Sequence, residues 1–508
     1  MKRGPGARGA VFALAVGLCC LSATAVWFFH AHGWQYLYGD AESHLNIARR
    51  ITDSLTPRYE GVGTVWLPLP HWLMLPLARV DALWRNGMAG AIPSAICFVV
   101  GAMFFFAAAR RVFQSTAAAV AAAMLLAVNP NLLYLQSTAM TEPVFLACLA
   151  GVLYGSVCFA ESQGWVSVAG TGFAALAGTL TRYDGWFLIP FVAGYFLIVG
   201  KQRRIAAAAI FCAMAALGPL FWFGHNWWLT GDWLAFYRGP YSARAIQGGT
   251  AYPGLHNIRL AILYFAAAAR LCAGPALAIL GIAGTFAALA RRVFWPVVLL
   301  ALPGVFYIWS MDSSGATPVY VPTLWPFTWY NTRYGLAALP LLAFCAAALV
   351  AIAERLIDSR GILHAVRPWQ AAALVMLAAT VPWLVHPHPE AWITFQESRI
   401  NSESRLQWTA RAADYLAARY RPGSGIVTSS GDFNAIYRRA GIPLRDTLSV
   451  DNELLYLAPL ARPDLLREKW AVVSANDLMQ RSLLANGHYT LELRIVVKNS
   501  PPVEIYRR

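Results

Sequence analysis

Residues 10–29 read AVFALAVGLCCLSATAVWFF, a nearly unbroken apolar stretch at the start of the chain. A helix of this length, about 20 residues, can cross a hydrocarbon core roughly 30 Å thick. Comparable stretches recur along the first three quarters of the chain, at 90–109, 117–135, 143–160, 165–181, 186–200, 205–224, 271–290, 294–311, 335–353 and 370–386. The sequence therefore predicts a multi-pass α-helical membrane protein with about eleven transmembrane helices.

The composition supports this prediction. Of the 508 residues, 58% are hydrophobic and only 13% are charged, whereas soluble domains are roughly 45–50% apolar and about 25% charged. This excludes a set of soluble domains, a disordered chain and a collagen-like repeat. The net charge of +15 would suggest nucleic acid in a soluble protein. Here most arginines lie in loops, so we interpret the charge as setting membrane orientation and expect no nucleic-acid partner.

The basic residues predict the orientation of the chain. Lys2, Arg3 and Arg8 precede the first stretch, which places the N-terminus in the cytoplasm. Counting alternately, the other basic loops fall on the same side, at Arg110–Arg111, Lys201/Arg203/Arg204, Arg291–Arg292 and Arg355/Arg360/Arg367. We therefore expect an integral protein of the cytoplasmic (inner) membrane. Its outer segments are then those around 30–89, 136–142, 181–185, 225–270 and 312–334, and everything after 387.

The first stretch leaves one alternative open. A basic start and the small residues 22–25 (SATA) resemble a cleaved signal peptide. Trp27, Phe28 and Phe29 carry the apolar run past that point, which favours a retained anchor.

The cysteines indicate neither a metal site nor a disulfide framework. All eight lie inside apolar stretches, and their spacings match no zinc motif. We interpret them as small core residues of membrane helices. They are residues 19, 20, 97, 148, 158, 212, 272 and 345.

The composition changes near residue 387. Residues 401–420 have helical periodicity, Ile426–Thr428 and Trp470–Val473 are typical of short strands, and the last stretch reads as two strands joined at 499–502. We therefore predict a membrane domain over 1–386, whose outer loop 30–89 carries an acidic motif. A small extracytoplasmic α/β domain is predicted over 387–508.

That outer loop opens with Asp40 and Glu42, just after the first stretch, in a segment with helical spacing. An acidic pair at a membrane boundary is costly unless it is paired, metal-bound or in use. The alternative is that Asp40 caps the following helix, with Gly39 as the turn. Both interpretations stay open at this point.

Two further carboxylates begin predicted spans. Glu142 stands in Thr-Glu-Pro (141–143), where it could merely complement a helix dipole. Asp184 stands in Thr-Arg-Tyr-Asp-Gly-Trp (181–186), where it could merely neutralise Arg182. What favours function is that all these groups, with Asp40 and Glu42, occupy outer ends of early spans.

The remaining outer loops are rich in aromatic residues and arginine. For the aromatics, interface anchoring is the favoured interpretation. A guanidinium fork, however, suits phosphate oxygens. The candidate phosphate-binding residues are Arg182, Arg238, Arg244, Arg270 and Arg333.

These motifs resemble those of the GT-C class of integral-membrane glycosyltransferases, which includes protein O-mannosyltransferases and the lipid A aminoarabinose transferase. The resemblance rests on Asp-x-Glu (40–42), WLPLPHWLMLP (66–76), Thr-Glu-Pro (141–143), Thr-Arg-Tyr-Asp-Gly-Trp (181–186) and a soluble domain after the last span. It covers the membrane part of the chain. Many relatives carry adjacent acidic residues in the first loop, whereas Ala41 separates them here.

The resemblance implies transfer of a sugar from a polyprenyl-phosphate-linked donor to an acceptor hydroxyl on a glycan, lipid or protein, with inversion. Asp40 would be the general base, with Glu42 as the other catalytic candidate. Mg²⁺ or Mn²⁺ could be held by Asp40, Glu42, Glu142 and Asp184. The candidate acceptor or pocket residues are Glu142, Asp184, Tyr183, His44, His71 and Tyr334.

Two other classes remain as alternatives. A transporter or lipid flippase would carry charges in the middle of its spans, and these spans have almost none. A catalytically inactive scaffold is opposed only by the concentration of outer carboxylates.

Overall fold

The structure, a computed structural model, describes residues 5–360, 368–385, 391–431 and 433–508. Of the orienting charges, Lys2, Arg3 and Arg367 lie outside the described residues, as does the predicted domain boundary at 386/387.

Helices dominate the chain up to residue 417. They are α1 (Pro5–Ala31), α2 (Gly39–Arg50), α3 (Leu69–Ala78), α4 (Asp81–Asn86), α5 (Met88–Phe113), α6 (Thr116–Ala127), α7 (Pro130–Gln136), α8 (Glu142–Ser162), α9 (Trp165–Thr179), α10 (Asp184–Val199), α11 (Arg204–Thr230), α12 (Ala235–Arg238), α13 (Ala243–Gln247), α14 (Ile258–Ala273), α15 (Pro275–Ala290), α16 (Phe294–Ser313), α17 (Leu339–Arg360), α18 (Pro368–Val385) and α19 (Ile393–Ala417). A 3-10 helix, Thr332–Ala338, leads directly into α17.

The multi-pass helical architecture is confirmed, but the count of eleven spans is not. Among the described residues, seven helices are long and apolar enough to cross a membrane, or nine if each of two bent helix pairs is one span. The other two predicted spans, 165–181 and 186–200, form α9 and α10, of 15 and 16 residues. At 1.5 Å per residue such helices measure about 24 Å or less, which is short for a hydrocarbon core of about 30 Å.

Each bent pair breaks immediately before a proline. Helices α6 and α7 meet at 66°, where the Asn129 side chain accepts hydrogen bonds from the backbone N–H of Asn131 and Leu132 and Pro130 begins the next helix. Helices α14 and α15 meet at 111°. There Gly274 has φ +82°, and a Cβ at this position would lie 2.8 Å from the Trp383 ring. Residues 271–273 therefore end α14 rather than begin the predicted span 271–290.

The C-terminal part contains the predicted small sheet. Its strands are β1 (Ile426–Thr428), β2 (Thr447–Leu448), β3 (Trp470–Ser474), β4 (Thr490–Ile495) and β5 (Val503–Arg507), in the order β2-β1-β3-β5-β4. The strands β2, β1 and β3 run parallel, whereas β5 pairs antiparallel with β3 and β4. Three helices accompany the sheet, α20 (Asn434–Ala440), α21 (Leu454–Ala461) and α22 (Leu478–Asn486).

The chain forms two compact units. The first, here called the membrane unit, comprises 1–31, 64–70 and 92–397. The second, here called the sheet unit, comprises 32–63, 71–91 and 398–508. Most of the first predicted outer loop is thus part of the sheet unit. All eight cysteines are free thiols in helices α1, α5, α8, α11, α14 and α17.

Candidate active site

The turn between α9 and α10 positions Arg182 and Asp184 in the membrane unit. The backbone of α10 starts so close to the end of α9 that a Cβ at Gly185 would lie 2.6 Å from the carbonyl oxygen of Gly178. The Trp186 indole N–H donates to the carbonyl of Thr179 over 2.8 Å. The glycine in this motif therefore serves a tight turn that brings both charged side chains to the start of α10.

Arg182 is the centre of a buried polar network. Its Nη1 donates to Thr141 Oγ1 (2.7 Å) and to Glu142 Oε1 (3.1 Å), and its Nε lies 3.3 Å from Asp184 Oδ1. Its Nη2 donates to the Tyr307 hydroxyl, which in turn donates to Asp184 Oδ2 over 3.2 Å. The two motifs Thr-Glu-Pro and Thr-Arg-Tyr-Asp-Gly-Trp thus meet through one guanidinium group.

Arg333 joins the same network from the 3-10 helix before α17. Its Nε lies 3.3 Å from Glu142 Oε1, and its Nη1 lies 3.5 Å from Glu397 Oε1. Tyr334, the next residue, stacks on Tyr307 with ring centroids 4.4 Å apart. Glu142 therefore bridges two guanidinium groups with a single oxygen.

Glu397 holds the backbone that carries Arg333. Its carboxylate accepts the backbone N–H of Asn331 (2.9 Å) and of Thr332 (2.7 Å), and also the Thr332 hydroxyl. The carboxylate thereby satisfies backbone N–H groups at the start of the 3-10 helix, whose N-cap residue makes no side-chain capping hydrogen bond. Burial raises the pKa of Glu397, although Arg333 and the Thr332 donors act in the opposite direction.

These side chains form the head of a cleft in the membrane unit. The rest of the lining is apolar. The second carboxylate oxygen of Glu142 is buried there without a hydrogen-bond partner. The lining residues are Leu126, Leu132, Glu142, Phe145, Leu146, Leu149, Arg182, Asp184, Pro303, Tyr307, Arg333, Tyr334, Leu336, Ala337, Leu339 and Pro340.

The chemistry of this cleft suits an anion attached to an oily chain. Two guanidinium groups offer donors for phosphate oxygens. The apolar walls would exclude water and accept hydrocarbon.

The acidic motif of the first predicted outer loop belongs to the sheet unit, on helix α2. Glu42 is 2% exposed and forms a bidentate ion pair with Arg438, with both N–O distances 2.8 Å. Asn46 Nδ2 donates to the same carboxylate over 3.1 Å. The Arg438 guanidinium carbon lies 3.4 Å from the centroid of the Tyr36 ring. Both oxygens of Glu42 are thus taken by donors of its own unit.

Asp40 has a different setting from Glu42. The cap interpretation of Asp40 is wrong, because α2 begins at Gly39 with Tyr38 in the N-cap position. Asp40 lies in the first turn, half-buried, where a carboxylate complements the helix dipole.

His44 and His71 form a buried pair in the sheet unit. His44 Nδ1 lies 2.9 Å from His71 Nε2. Burial, together with the charges of His44 and Arg50, holds the pKa of His71 well below its usual value. His71 is therefore neutral at physiological pH, and the pair is part of the packing of α2 against α3.

The residues proposed as metal ligands do not fit a divalent ion in this arrangement. Across the described ranges, no three His, Cys, Asp or Glu side chains come together as a metal site would require. Glu142 and Asp184 share the guanidinium of Arg182, and Glu42 is taken by Arg438.

The other candidate arginines lie outside the cleft. Arg238 is exposed and pairs with Asp232 at 2.6 Å, Arg244 is exposed beside the Tyr237 ring, and Arg270 is exposed in the last turn of α14. Of the five predicted phosphate-binding residues, the structure brings together Arg182 and Arg333.

Tyr183 also lies outside the cleft lining. Its hydroxyl donates to the carbonyl of Val65 (2.6 Å) and accepts from the Trp222 indole (3.0 Å). The sequence analysis did not predict Tyr307, Glu397 or Arg438. Their partners Arg182, Arg333 and Glu42 lie 64 or more residues away along the chain, and no local sequence pattern identifies them.

Comparison with known proteins agrees with this architecture. Residues 68–228, which contain both motifs that meet at Arg182, match the family model described as dolichyl-phosphate-mannose-protein mannosyltransferase. No curated protein sequence matches the chain.

Among solved structures, the fold is similar to that of ArnT from Cupriavidus metallidurans. The match to the form bound to undecaprenyl phosphate has a TM-score of 0.58 at 14% identity, and that to the apo form has 0.57 at 13%. Each covers 97% of both chains. The Archaeoglobus fulgidus oligosaccharyltransferase, in complex with Zn and sulfate, matches with a TM-score of 0.50 at 13% identity, covering 91% of this chain and 68% of that one. The resemblance to membrane glycosyltransferases of the GT-C class is thus confirmed at the level of fold and family model.

Proposed function

We propose that this protein is a membrane glycosyltransferase that moves a sugar from a polyprenyl-phosphate-linked donor to an acceptor hydroxyl. The observation that carries the proposal is the cleft, which combines two arginines at its head with apolar walls. A lipid-linked phosphate has the same combination of a charged head and an oily tail. The similarity to dolichyl-phosphate-mannose-protein mannosyltransferases and the undecaprenyl phosphate bound to ArnT support this ligand class.

Arg182 and Arg333 bind the donor phosphate in this proposal. As the bond between the anomeric carbon and the phosphate oxygen breaks, negative charge grows on the leaving phosphate. Guanidinium groups already fixed by Asp184 and Glu397 stabilise that charge without having to reorganise. The other arginines predicted from the sequence are not given this role.

Asp40 is the proposed general base. It takes the proton from the acceptor hydroxyl as the oxygen attacks the anomeric carbon, and the phosphate leaves from the opposite face, which inverts the configuration. Asp40 is favoured over Glu42, because Glu42 has both oxygens occupied by Arg438. We assign Glu42 the role of holding α2 in place.

The proposed location is the outer face of the cytoplasmic membrane, with the N-terminus inside and the sheet unit outside. The distribution of basic loops along the sequence supports this orientation. The sugar is proposed to be a hexose or a related sugar, by analogy with the matched family description.

The test uses the full chain in lipid nanodiscs with radiolabelled polyprenyl-phosphate sugars and a mixture of glycan, lipid and peptide acceptors. Asp40→Asn is expected to abolish transfer while binding of undecaprenyl phosphate persists. Asp414→Asn, at an exposed aspartate of the sheet unit, is the matched control and should transfer normally. Full activity of Asp40→Asn would refute the assignment of the base. Movement of the lipid across the bilayer without any sugar transfer would refute the enzyme in favour of a flippase.

A further inference from the structure

Glu142 uses its two oxygens unequally. One oxygen lies 3.1 Å from Arg182 Nη1 and 3.3 Å from Arg333 Nε. The other is buried without a hydrogen-bond partner and belongs to a residue that lines the cleft. Three buried glutamates in ion pairs with arginine use both oxygens, namely Glu42, Glu397 and Glu504. Glu142 therefore presents an unsatisfied negative oxygen at the head of the cleft.

Each guanidinium group beside Glu142 has a second carboxylate partner. Arg182 pairs with Asp184, and Arg333 pairs with Glu397. Glu142 therefore adds a carboxylate in excess of these two pairs, and one of its oxygens is unsatisfied. A phosphate entering the cleft meets this charge directly.

That excess charge distinguishes the two lipids of the proposed reaction. The donor is a phosphodiester with one negative charge, whereas the released carrier is a phosphate monoester that carries close to two at neutral pH. Coulomb repulsion from one carboxylate is therefore about twice as large for the monoester.

We propose that Glu142 is a specificity-determining residue that favours the phosphodiester donor over the phosphate monoester product. This inference rests on the proposed function, because it assumes that a lipid phosphate occupies the cleft. In this role Glu142 forms no bond to the sugar and moves no proton. It weakens the binding of the carrier once the sugar has gone, and so promotes product release.

The test compares two lipids that differ only in phosphate charge, undecaprenyl phosphate and its methyl ester, binding to the full chain in nanodiscs at pH 7.5. The wild-type chain should bind the methyl ester more tightly. Glu142→Gln keeps the shape of the side chain and removes its charge. It should tighten binding of the monoester about tenfold and that of the methyl ester less, since the repulsion scales with charge.

Two controls separate charge from structure. Glu142→Asp retains the charge and should retain the preference for the methyl ester. Glu161→Gln removes a charge at the opposite end of the same helix, where Glu161 pairs with Arg111, and should leave both affinities unchanged.

The outcomes are distinct. Equal tightening of both lipids in Glu142→Gln, weaker monoester binding in that variant, or a wild-type preference for the monoester would overturn this inference and leave the proposed function standing. Failure of the wild-type chain to bind either lipid would overturn the proposed function and the inference together.

Discussion

Two carboxylates that stand in the sequence motifs, Glu42 and Glu142, have opposite settings. In the sheet unit, Glu42 meets one arginine with two parallel hydrogen bonds and receives a third from Asn46. In the membrane unit, Glu142 offers a single oxygen to two arginines and leaves the other unsatisfied. The Glu42 carboxylate has hydrogen-bond donors on both oxygens and stabilises the packing of α2. The Glu142 carboxylate borders a cleft and has one oxygen that can still accept a hydrogen bond from a ligand.

Burial and charge alone therefore do not identify a functional carboxylate. A fully satisfied buried ion pair can be replaced by apolar residues at little cost, whereas breaking it by removing one partner is expensive. A buried group with an unsatisfied atom costs folding free energy in the ground state. Such a group is therefore the better candidate for binding chemistry.

The largest effect is expected from Arg182→Met. This variant removes the guanidinium shared by Glu142, Asp184 and Tyr307. We expect the free energy of unfolding to fall by about 3–5 kcal/mol, because two carboxylates lose their buried cation, and transfer to fall by at least about 100-fold. Thermal unfolding in detergent and the transfer assay measure the two effects. Arg111→Met, at an exposed ion pair, is the control, and comparable losses in both variants would contradict the special role of Arg182.

The next largest effect is expected at the ion pair between Glu42 and Arg438. Arg438→Met leaves Glu42 buried and unpaired, so the free energy of unfolding should fall by about 3–5 kcal/mol. Adding Glu42→Gln should restore most of that loss, because no uncompensated charge remains. Denaturation of both single variants and the double variant gives the coupling energy. A double variant no more stable than Arg438→Met alone would show that Glu42 is not held by this pair.

A smaller effect concerns pH and the His44–His71 pair. Burial, with the charges of His44 and Arg50, places the pKa of folded His71 well below 6.5, so the unfolded chain takes up a proton first as the pH falls. The stability contributed by neutral His71 is therefore complete above about pH 6.5 and is lost below it, at up to about 1.4 kcal/mol per pH unit. Unfolding of wild type and His71→Gln between pH 7.5 and pH 5 measures the slope. An identical slope in the variant would exclude His71 as its source.

The smallest effect is expected at the far end of α8. Glu161 and Arg111 form an ion pair in which both side chains are about two fifths exposed. Solvent screens such a pair, so Glu161→Gln should change the free energy of unfolding by less than about 1 kcal/mol. Helix α8 thus carries a buried pair at its start and an exposed pair at its end. A loss of stability in Glu161→Gln as large as that in Arg182→Met would remove the distinction between the two ends of α8.

The sequence predicts those parts of this structure that depend on local pattern. Apolar runs mark the helices because length and hydrophobicity are local quantities, and the terminal strands follow from short alternating segments. The predicted number of spans was not confirmed for two reasons. Helices α9 and α10 are shorter than the apolar runs suggested, and two helix pairs bend before Pro130 and Pro275.

Partners distant in sequence could not be predicted in the same way. Arg438 reaches Glu42 across 396 residues, and Glu397 reaches Thr332 across 65. Neither partner stands in a motif. The contact between Glu142 and Arg182 could be predicted from the sequence, because both residues stand at the ends of neighbouring predicted spans. Arg238, Arg244 and Arg270 share the same kind of loop composition but lie outside the cleft, which composition alone cannot reveal.

The free cysteines have a practical consequence. All eight thiols lie within helices of the membrane unit, and three of them are buried. We therefore expect the native cysteines to react little with a water-soluble maleimide. A single cysteine introduced in place of Asp414 or Glu161 would therefore be labelled above a low background from the native cysteines. Labelling of intact cells would then show which side of the bilayer each position faces. The native cysteines would not have to be replaced first.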